Sequence, residues 1–253
     1  MEPIKVISPF TEENPFLIIY KPKGLPSAPL YEGDESALTQ AVSLFPELKK
    51  VSGLKEVEHG LVHRIDTQTQ GLLLIASTQK AFDSFVEQQK NGDFTKTYRA
   101  LCRKNLCFPE GMTPVRESEI SKIENALLKN LRADFCVESC FRSWGKSARE
   151  VRPVFEWSSP ASKKKGGSVL YKTCITLLKN EEGFYSAECS ITRGFRHQVR
   201  THLCAAGFPI AGDPLYDTMK TDSDEYFFEA SSLSFIHPLS GKKIDVSVPE
   251  EQL

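Results

Sequence analysis

Five consecutive apolar residues, Leu72-Leu73-Leu74-Ile75-Ala76, follow Gly71 and, a few positions earlier, the charged cluster His63-Arg64-Ile65-Asp66. A run that short and that continuously hydrophobic has no face to offer water, so it predicts a strand inside a sheet covered on both sides. Leu61-Val62 reads as a second short apolar strand of the same kind. A carboxylate, Asp66, is thereby delivered to the lip of buried structure, in a loop braced by strands.

The second constraining feature lies far along the chain. Val169 to Leu178 and Phe184 to Ile191 are strand-like runs separated by a turn at Asn180 to Gly183, which predicts a hairpin. The second strand runs into Thr192-Arg193-Gly194-Phe195 and then Arg196-His197-Gln198-Val199-Arg200-Thr201-His202-Leu203, a helix expected over 196–206 and closed by Gly207 and Pro209. Anions are bound where a strand passes through a glycine turn into a helix start. Arg196 and Arg200, four apart on one face near that start, oppose the helix dipole at a cost of ~0.3–1 kcal/mol each, so something negative should compensate.

The remaining segments supply a frame. Pro15 to Tyr20 is a β-prone run broken at Pro22, Gly24 and Pro26, and Ser36 to Phe45 has apolar residues at helical spacing with Pro46 as a stop. Thr78 to Asn91 predicts an amphipathic helix with Thr78 as N-cap and Gly92 behind it, and Phe94 to Leu101 alternates as a strand. Beyond Arg103 the patterning weakens. The stretch 142–167 sets Arg142, Lys146, Arg149, Arg152, Lys163, Lys164 and Lys165 against Glu150 and Glu156, and Ser158 to Ser162 with Gly166-Gly167 reads as a flexible loop.

Composition excludes some classes. A formal net charge of -1 rules out a polycation that coats nucleic acid indiscriminately, so any affinity for nucleic acid would have to come from local patches. Seven cysteines with no Cys-x-x-Cys pair argue against a disulfide framework and for reduced thiols in a cytoplasmic protein. Cys136 with Cys140, or His197 with His202, would make only half of a zinc site, so no metal is expected. No apolar run approaches the ~20 residues of a membrane span, and the start of the chain lacks the pattern of a signal peptide.

Taken in order, Tyr20-Lys21-Pro22-Lys23-Gly24-Leu25-Pro26, the Asp66 cluster with its Gly-Leu-Leu-Leu-Ile-Ala tail, Lys96-Thr97-Tyr98-Arg99-Ala100, the Arg196 to Leu203 segment with its Gly207-Phe208-Pro209-Ile210-Ala211-Gly212-Asp213 tail, and Phe235-Ile236-His237-Pro238 with Gly241 resemble the signature motifs of the RluA-type family of RNA pseudouridine synthases. The resemblance implies an α+β fold, a mixed, largely antiparallel sheet with flanking helices and an active-site cleft across it. It implies one catalytic domain over 1–253, with 104–168 a variable basic lobe and no N-terminal S4-type domain. A monomer acting on ribosomal or transfer RNA without a cofactor is expected.

The resemblance also assigns roles. Asp66, otherwise a turn aspartate, matches the family's indispensable aspartate, a nucleophile or base in moving uracil from an N1 to a C5 linkage. Burial would raise its pKa unless a cation offsets the lost solvent. Arg200, otherwise a surface ion-pair partner, matches the arginine that pairs with it. Tyr98, otherwise a half-buried packing residue, matches the tyrosine that stacks on the extruded uracil. Arg64 is grouped with the RNA contacts, filling the gap left by the flipped base or holding a phosphate, as are Arg193, Arg196 and the lobe's Lys163, Lys164 and Lys165. His63 and His197 read as structural histidines or phosphate donors, with His63 kept among the RNA contacts.

The family commonly has Gly-Arg-Thr-His-Gln-Ile-Arg where this chain has Gly194-Phe195-Arg196-His197-Gln198-Val199-Arg200. That departure motivates an alternative, a catalytically silent RNA-binding or folding factor on the same scaffold. A carboxylate-dependent nucleosidase is a third class, but it needs a second carboxylate that the motif lacks.

Overall fold

The apolar run is a strand, as its composition requires: β3 (Gln70–Ala76) is buried at every position after Gln70. The computed structural model describes residues 2–180, 183–221 and 224–248. These fall into two compact units, Met1–Thr97 with Glu229–Leu253 and the intervening Tyr98–Phe228. Both are mixed α and β, with mostly antiparallel strands and few helices, the class the sequence predicts.

In the first unit β1 (Lys5–Ser8), β2 (Phe16–Lys21) and β3 follow one another in the sheet. β2 is buried along its whole length and lies antiparallel on β3, from Phe16 opposite Ala76 to Lys21 opposite Gly71. Two hydrophobic strands side by side need covers on both faces. One cover is α2 (Gln79–Asn91), which buries Ala81, Phe82, Phe85 and Gln88. Its ends are set locally: the Thr78 hydroxyl accepts from the Ala81 N–H, and Gly92 takes the left-handed conformation at φ 85. Phe16, Phe85, Phe94 and Phe235 meet edge-on or stacked with ring centroids 5.2–6.1 Å apart, geometry that aromatic quadrupoles favour.

From the distal part of the chain, β9 (Phe228–Ile236) runs parallel to β3 at Gln70 and Gly71, and β10 (Lys243–Ser247) pairs antiparallel with β9. Gly71 makes that approach possible. It sits at φ +122, and a Cβ there would come within 2.3 Å of the Ala230 carbonyl oxygen. The helix expected at Ser36 to Phe45 is α1 (Ala37–Leu44), started by a Ser36/Thr39 capping box. Leu61-Val62 is not a strand of its own. It makes a single bridge, Leu61 to Ile75, and the chain then leaves the ladder because the His63 side chain, rather than a backbone carbonyl, takes the Leu74 N–H.

The second unit contains most of β4 (Thr95–Cys102), β5 (Arg132–Trp144), β6 (Glu150–Val154), β7 (Tyr171–Lys179) and β8 (Tyr185–Ile191), in the order β4-β8-β7-β5-β6. The expected hairpin is β7–β8, antiparallel from Cys174 opposite Ser190 to Lys179 opposite Tyr185, and Glu181 and Glu182 of its turn lie outside the described residues. Three elements went unrecognised where the pattern weakened: α3 (Glu117–Asn130), β5 and β6. The segment read as a flexible loop contains a short helix, α4 (Pro160–Lys165), because Ser159 caps it through the Ser162 N–H and Pro160 is preset for its first turn.

The helix predicted over 196–206 is α5 (Gln198–Ala205), two residues shorter at its start. His197 stands before it in a left-handed conformation, φ 56. Arg196 is therefore outside the helix, and the dipole argument applies to Arg200 alone. α5 is pinned from beneath by His202, which is fully buried: one ring nitrogen lies 2.9 Å from the Ser139 hydroxyl of β5 and the other 2.8 Å from the Thr173 hydroxyl of β7. Burial drives its pKa down to about 3, so it is a neutral structural group.

Candidate active site

Asp66, half-buried, stands in a short loop that the first unit clamps from two directions. Ser27 holds the backbone of the preceding residue at both ends: its hydroxyl donates to the Ile65 carbonyl at 2.7 Å and accepts from the Ile65 N–H at 3.1 Å. On the other side Lys21, at the end of β2, turns its side chain inward and is completely shielded from solvent. Its ammonium donates to the carbonyls of Pro22 (2.9 Å), Leu25 (2.7 Å) and Thr67 (3.2 Å). The Gly24 N–H also donates to the Thr67 carbonyl, at 2.8 Å, and the Thr69 N–H closes a turn on the Asp66 carbonyl, at 3.0 Å. A three-donor cation is suited to this work, since one ammonium can serve three converging carbonyl oxygens at once.

Holding that ammonium out of water lowers the Lys21 pKa to about 8, with the negative charge of Asp66 pulling the other way. Lys21 is thus a positive charge close to Asp66 as well as a brace for its loop. Lys21 and Ser27 both lie in or beside the proline-rich opening motif. The motif alone gives neither residue a role; a lysine ending an otherwise apolar strand is the signal in the sequence.

His63 is buried, its Nε2 accepts the Leu74 N–H at 3.3 Å, and its ring lies 5.7 Å from Phe94. Desolvation and the charge of Lys96 lower its pKa to about 3. This corrects its place among the RNA contacts: a neutral, enclosed imidazole that anchors β3 presents no charge to phosphate. Arg64 points the other way, exposed, with Nη1 3.2 Å from a Glu58 carboxylate oxygen.

Tyr98 and Arg200 belong to the second unit. Burial alternates strictly along β4, and Tyr98 occupies an inward position, its ring stacked on Phe228 at 5.2 Å and 19°. Phe228 meets Tyr226 edge-on at 6.4 Å, and the Arg200 guanidinium lies 5.8 Å from the Tyr226 ring centre. Two aromatic rings therefore connect the tyrosine of one motif to the arginine of another.

Arg200 is buried in the first turn of α5, and the charge that compensates it is Asp213. The guanidinium donates in a fork, Nε to Oδ2 and Nη2 to Oδ1, both at 2.8 Å. Oδ1 also accepts the N–H groups of Leu215 (2.9 Å) and Tyr216 (3.2 Å). Tyr216 lies under the same guanidinium at 5.1 Å, accepts the Val151 N–H and meets His197 Nδ1 at 2.8 Å. Asp213 and Tyr216 hold Arg200 in place, and neither is singled out by the sequence pattern, although Asp213 closes the tail of the Arg200 motif.

The basic stretch divides on inspection. Lys163, Lys164 and Lys165 are exposed on α4, and Arg193 is exposed between β8 and α5. Arg142 and Arg152 are buried staples instead: Arg142 donates to the Gly111 carbonyl, and Arg152 donates to the carbonyls of Glu110 and Val151 and to the Glu150 carboxylate. Arg196 is exposed but hydrogen-bonded to the carbonyls of Ala148 and Glu150. Phe195, the departure from the family pattern, stacks on Phe141 at 4.8 Å and packs beside Tyr171. Among the described residues no group of three or more His, Cys, Asp or Glu side chains is arranged to hold a metal ion.

Residues 15–205 match the family described as RNA pseudouridylate synthase, a span that takes in the Asp66, Tyr98 and Arg200 motifs together. The chain belongs to the RNA pseudouridylate synthase family. It is similar to the ribosomal large subunit pseudouridine synthase D of Zymomonas mobilis, 27% identical over 245 residues that make up 92% of this chain and 66% of that protein. It is 28% identical to the ribosomal large subunit pseudouridine synthase C of Escherichia coli (strain K12) over 76% of this chain and 53% of the relative. YlyB of Bacillus subtilis (strain 168), an uncharacterized RNA pseudouridine synthase, is 26% identical over 95% of this chain and 68% of its own length. The chain thus spans between about half and two thirds of these relatives.

Among solved structures, human RNA Pseudouridylate Synthase Domain Containing 1 aligns with a TM-score of 0.63 at 18% identity, covering 100% of this chain and 88% of that one. Human RNA Pseudouridylate Synthase Domain Containing 4 gives 0.61 at 15%, covering 97% and 88%. The fold is that of pseudouridylate synthase domains. No helix among the described residues is long and apolar enough to cross a membrane.

Proposed function

We propose that this chain isomerises uridine to pseudouridine in ribosomal RNA, with Asp66 as the group that attacks or deprotonates, Arg200 as its cationic partner and Tyr98 as the ring beneath the extruded uracil. One observation carries the reading: Asp66 stands on a loop fixed by Lys21 and Ser27, with a buried ammonium beside it. A turn aspartate with a merely local role needs no such clamp. A carboxylate acting on a flipped nucleotide must hold its position within a fraction of an ångström, and the clamp supplies that.

The ribosomal substrate is supported by the names of the relatives, two of which are ribosomal large subunit pseudouridine synthases. Extruding a base costs a few kcal/mol of stacking, and stacking on an aromatic ring returns about 1–3 kcal/mol. Phe228 beneath Tyr98 keeps that ring in a fixed plane for the purpose. Arg193, Arg64, Arg196 and the three lysines of α4 supply the phosphate contacts, without information about the base. We assign the whole of 1–253 to one catalytic domain with 104–168 as its variable lobe, acting as a cytoplasmic monomer without a cofactor.

The catalytically silent alternative is not favoured. The altered motif residue Phe195 serves packing against Phe141 and Tyr171, and the three residues that carry the chemistry are present. Incubation with ribosomal RNA carrying tritium at uridine C5 tests the assignment. Release of tritium by the parent protein and none by Asp66→Asn is expected. RNA binding without release by the parent would overturn it.

A further inference from the structure

On the outward face of the second unit's sheet, away from the residues discussed so far, two thiols stand side by side. Cys136 of β5 and Cys174 of β7 are direct partners in the antiparallel ladder, with Phe135 opposite Ile175 on one side and Val137 opposite Thr173 on the other. Opposed residues of an antiparallel pair have Cα atoms about 4.5 or about 5.5 Å apart, according to whether the pair is hydrogen-bonded. Either separation lies inside the ~4.4–6.8 Å that a disulfide spans. Both residues are free thiols, Cys136 exposed and Cys174 half-buried. They line an open depression of about 340 Å³ together with Asp134, Thr176, Glu188 and Ser190.

A closely placed pair of thiols has two chemistries open to it, ligation and oxidation. Ligation of zinc takes four donors, and among the described residues no third ligating side chain joins the pair. Oxidation needs only the two sulfurs and a reagent that reaches them. Cys102, Cys189 and Cys204 are buried and shut off from such a reagent.

We infer that Cys136 and Cys174 form a reversible oxidation site, closed to a cross-strand disulfide by exchange with a low-molecular-weight disulfide such as oxidised glutathione. One cysteine, as thiolate, attacks a sulfur of the reagent, forming a mixed disulfide and expelling one glutathione thiolate. The second cysteine thiolate attacks the protein-side sulfur of that mixed disulfide and expels the other. The two cysteines lose two protons and two electrons in all; the reagent's bond is broken, and it leaves as two glutathione thiols.

Burial and the neighbouring Cys174 sulfhydryl raise the Cys136 thiol to about 11, so thiolate is scarce at neutral pH and exchange quickens as the solution becomes alkaline. The position within the fold gives the bond a consequence. Ser139 and Thr173, inward neighbours on the same two strands, hold both ring nitrogens of His202. A bond between Cys136 and Cys174 would lock the two strands on which α5 rests.

The experiment incubates the full native chain with graded ratios of oxidised to reduced glutathione, quenches by alkylation, and reads intact mass and peptide maps. The expected result is loss of two hydrogens with a crosslinked Cys136–Cys174 peptide, faster at alkaline than at neutral pH and reversed by dithiothreitol. Cys136→Ser and Cys174→Ser should each abolish the crosslink, while Cys107→Ser, at an exposed cysteine, should keep it. Stable glutathione adducts alone, crosslinks between other cysteines, stoichiometric metal held by the two thiols, or no oxidation at all would each overturn the inference.

Discussion

Replacing Asp213 by Asn changes one oxygen to an amide group and keeps the shape, which isolates what the charge and the acceptors do. The parent carboxylate accepts four hydrogen bonds: two from the Arg200 fork at 2.8 Å and the N–H groups of Leu215 and Tyr216. Whichever way the amide is turned, its NH2 faces a donor. Turned toward Oδ1 it confronts Arg200 Nη2 and both backbone N–H groups; turned toward Oδ2 it confronts Arg200 Nε. At least one charge-assisted bond is therefore lost, about 1.5–3 kcal/mol, and the buried guanidinium loses a full countercharge. Removing one partner of a buried pair costs about 3–5 kcal/mol, and the isosteric Asn should fall near the lower end, at about 3 kcal/mol. For a chain of this size that corresponds to a drop of about 6–12 °C in the unfolding midpoint, measured by calorimetry or circular dichroism. Asp245→Asn is the control, since its pair with Lys243 is largely exposed and screened by solvent, so its loss should leave the midpoint nearly unchanged. Tritium release by Asp213→Asn should fall as well, because Arg200 is no longer held in one orientation. A midpoint within about 1 °C of the parent would refute the claim that this carboxylate is the fixed counterpart of Arg200.

Lys21→Met removes the ammonium that gathers three carbonyls; relief of its desolvation offsets part of the loss, leaving a net destabilisation of about 2 kcal/mol in urea unfolding and a greater loss of activity than of stability, because the Asp66 loop is freed. The folded-state pKa values of Lys21 and Lys96 are lowered to about 8, below those of the unfolded chain, so between pH 8 and 10 the unfolded state binds more protons and stability should rise with pH, by about 1.4 kcal/mol per unit for each group. A urea midpoint that falls across that window, or a slope unchanged in Lys96→Met, would contradict it. Phe228→Ala should cost about 3–5 kcal/mol and depress activity by leaving Tyr98 without the ring it stacks on; unaltered turnover would argue against a fixed plane for Tyr98. Changing Lys163, Lys164 and Lys165 together to Gln should weaken RNA binding and shallow its log–log salt dependence by about 2–3, and an unchanged slope would remove α4 from the RNA contacts.

The elements readable from sequence were those whose cause is local. β3 needs only its own hydrophobicity, and α1 and α2 announce their starts with Ser36 and Thr78 and, for α2, its end with Gly92. β5 was hidden although Ala133, Val137, Ser139 and Phe141 are buried at alternate positions, because charged residues and cysteines occupy the positions between and the strand reads as polar. α3 was diluted in the same way, with Ile120, Ile123 and Leu127 spaced correctly among acidic and basic neighbours. Charge counting in 142–167 failed for a different reason: a side chain's formal charge says nothing of whether carbonyls such as those of Gly111 and Glu110 wait to receive it. The motif residues themselves were legible, whereas their supports were not. Lys21 acts through an inward turn at the end of β2, and Asp213 reaches Arg200 only through the fold, so no periodicity could reveal either.

The division of the chain also bears on how it is made. The first unit is assembled from two separated stretches and needs β9 and β10 to complete its sheet, while the second is one continuous stretch. During vectorial synthesis at about 5–20 residues per second, all but the last residue of the second unit is translated before β9 begins. The hydrophobic strands β2 and β3, translated first, must then wait longest for their last neighbour, and a nascent chain stalled before β9 would be the species most in need of a chaperone.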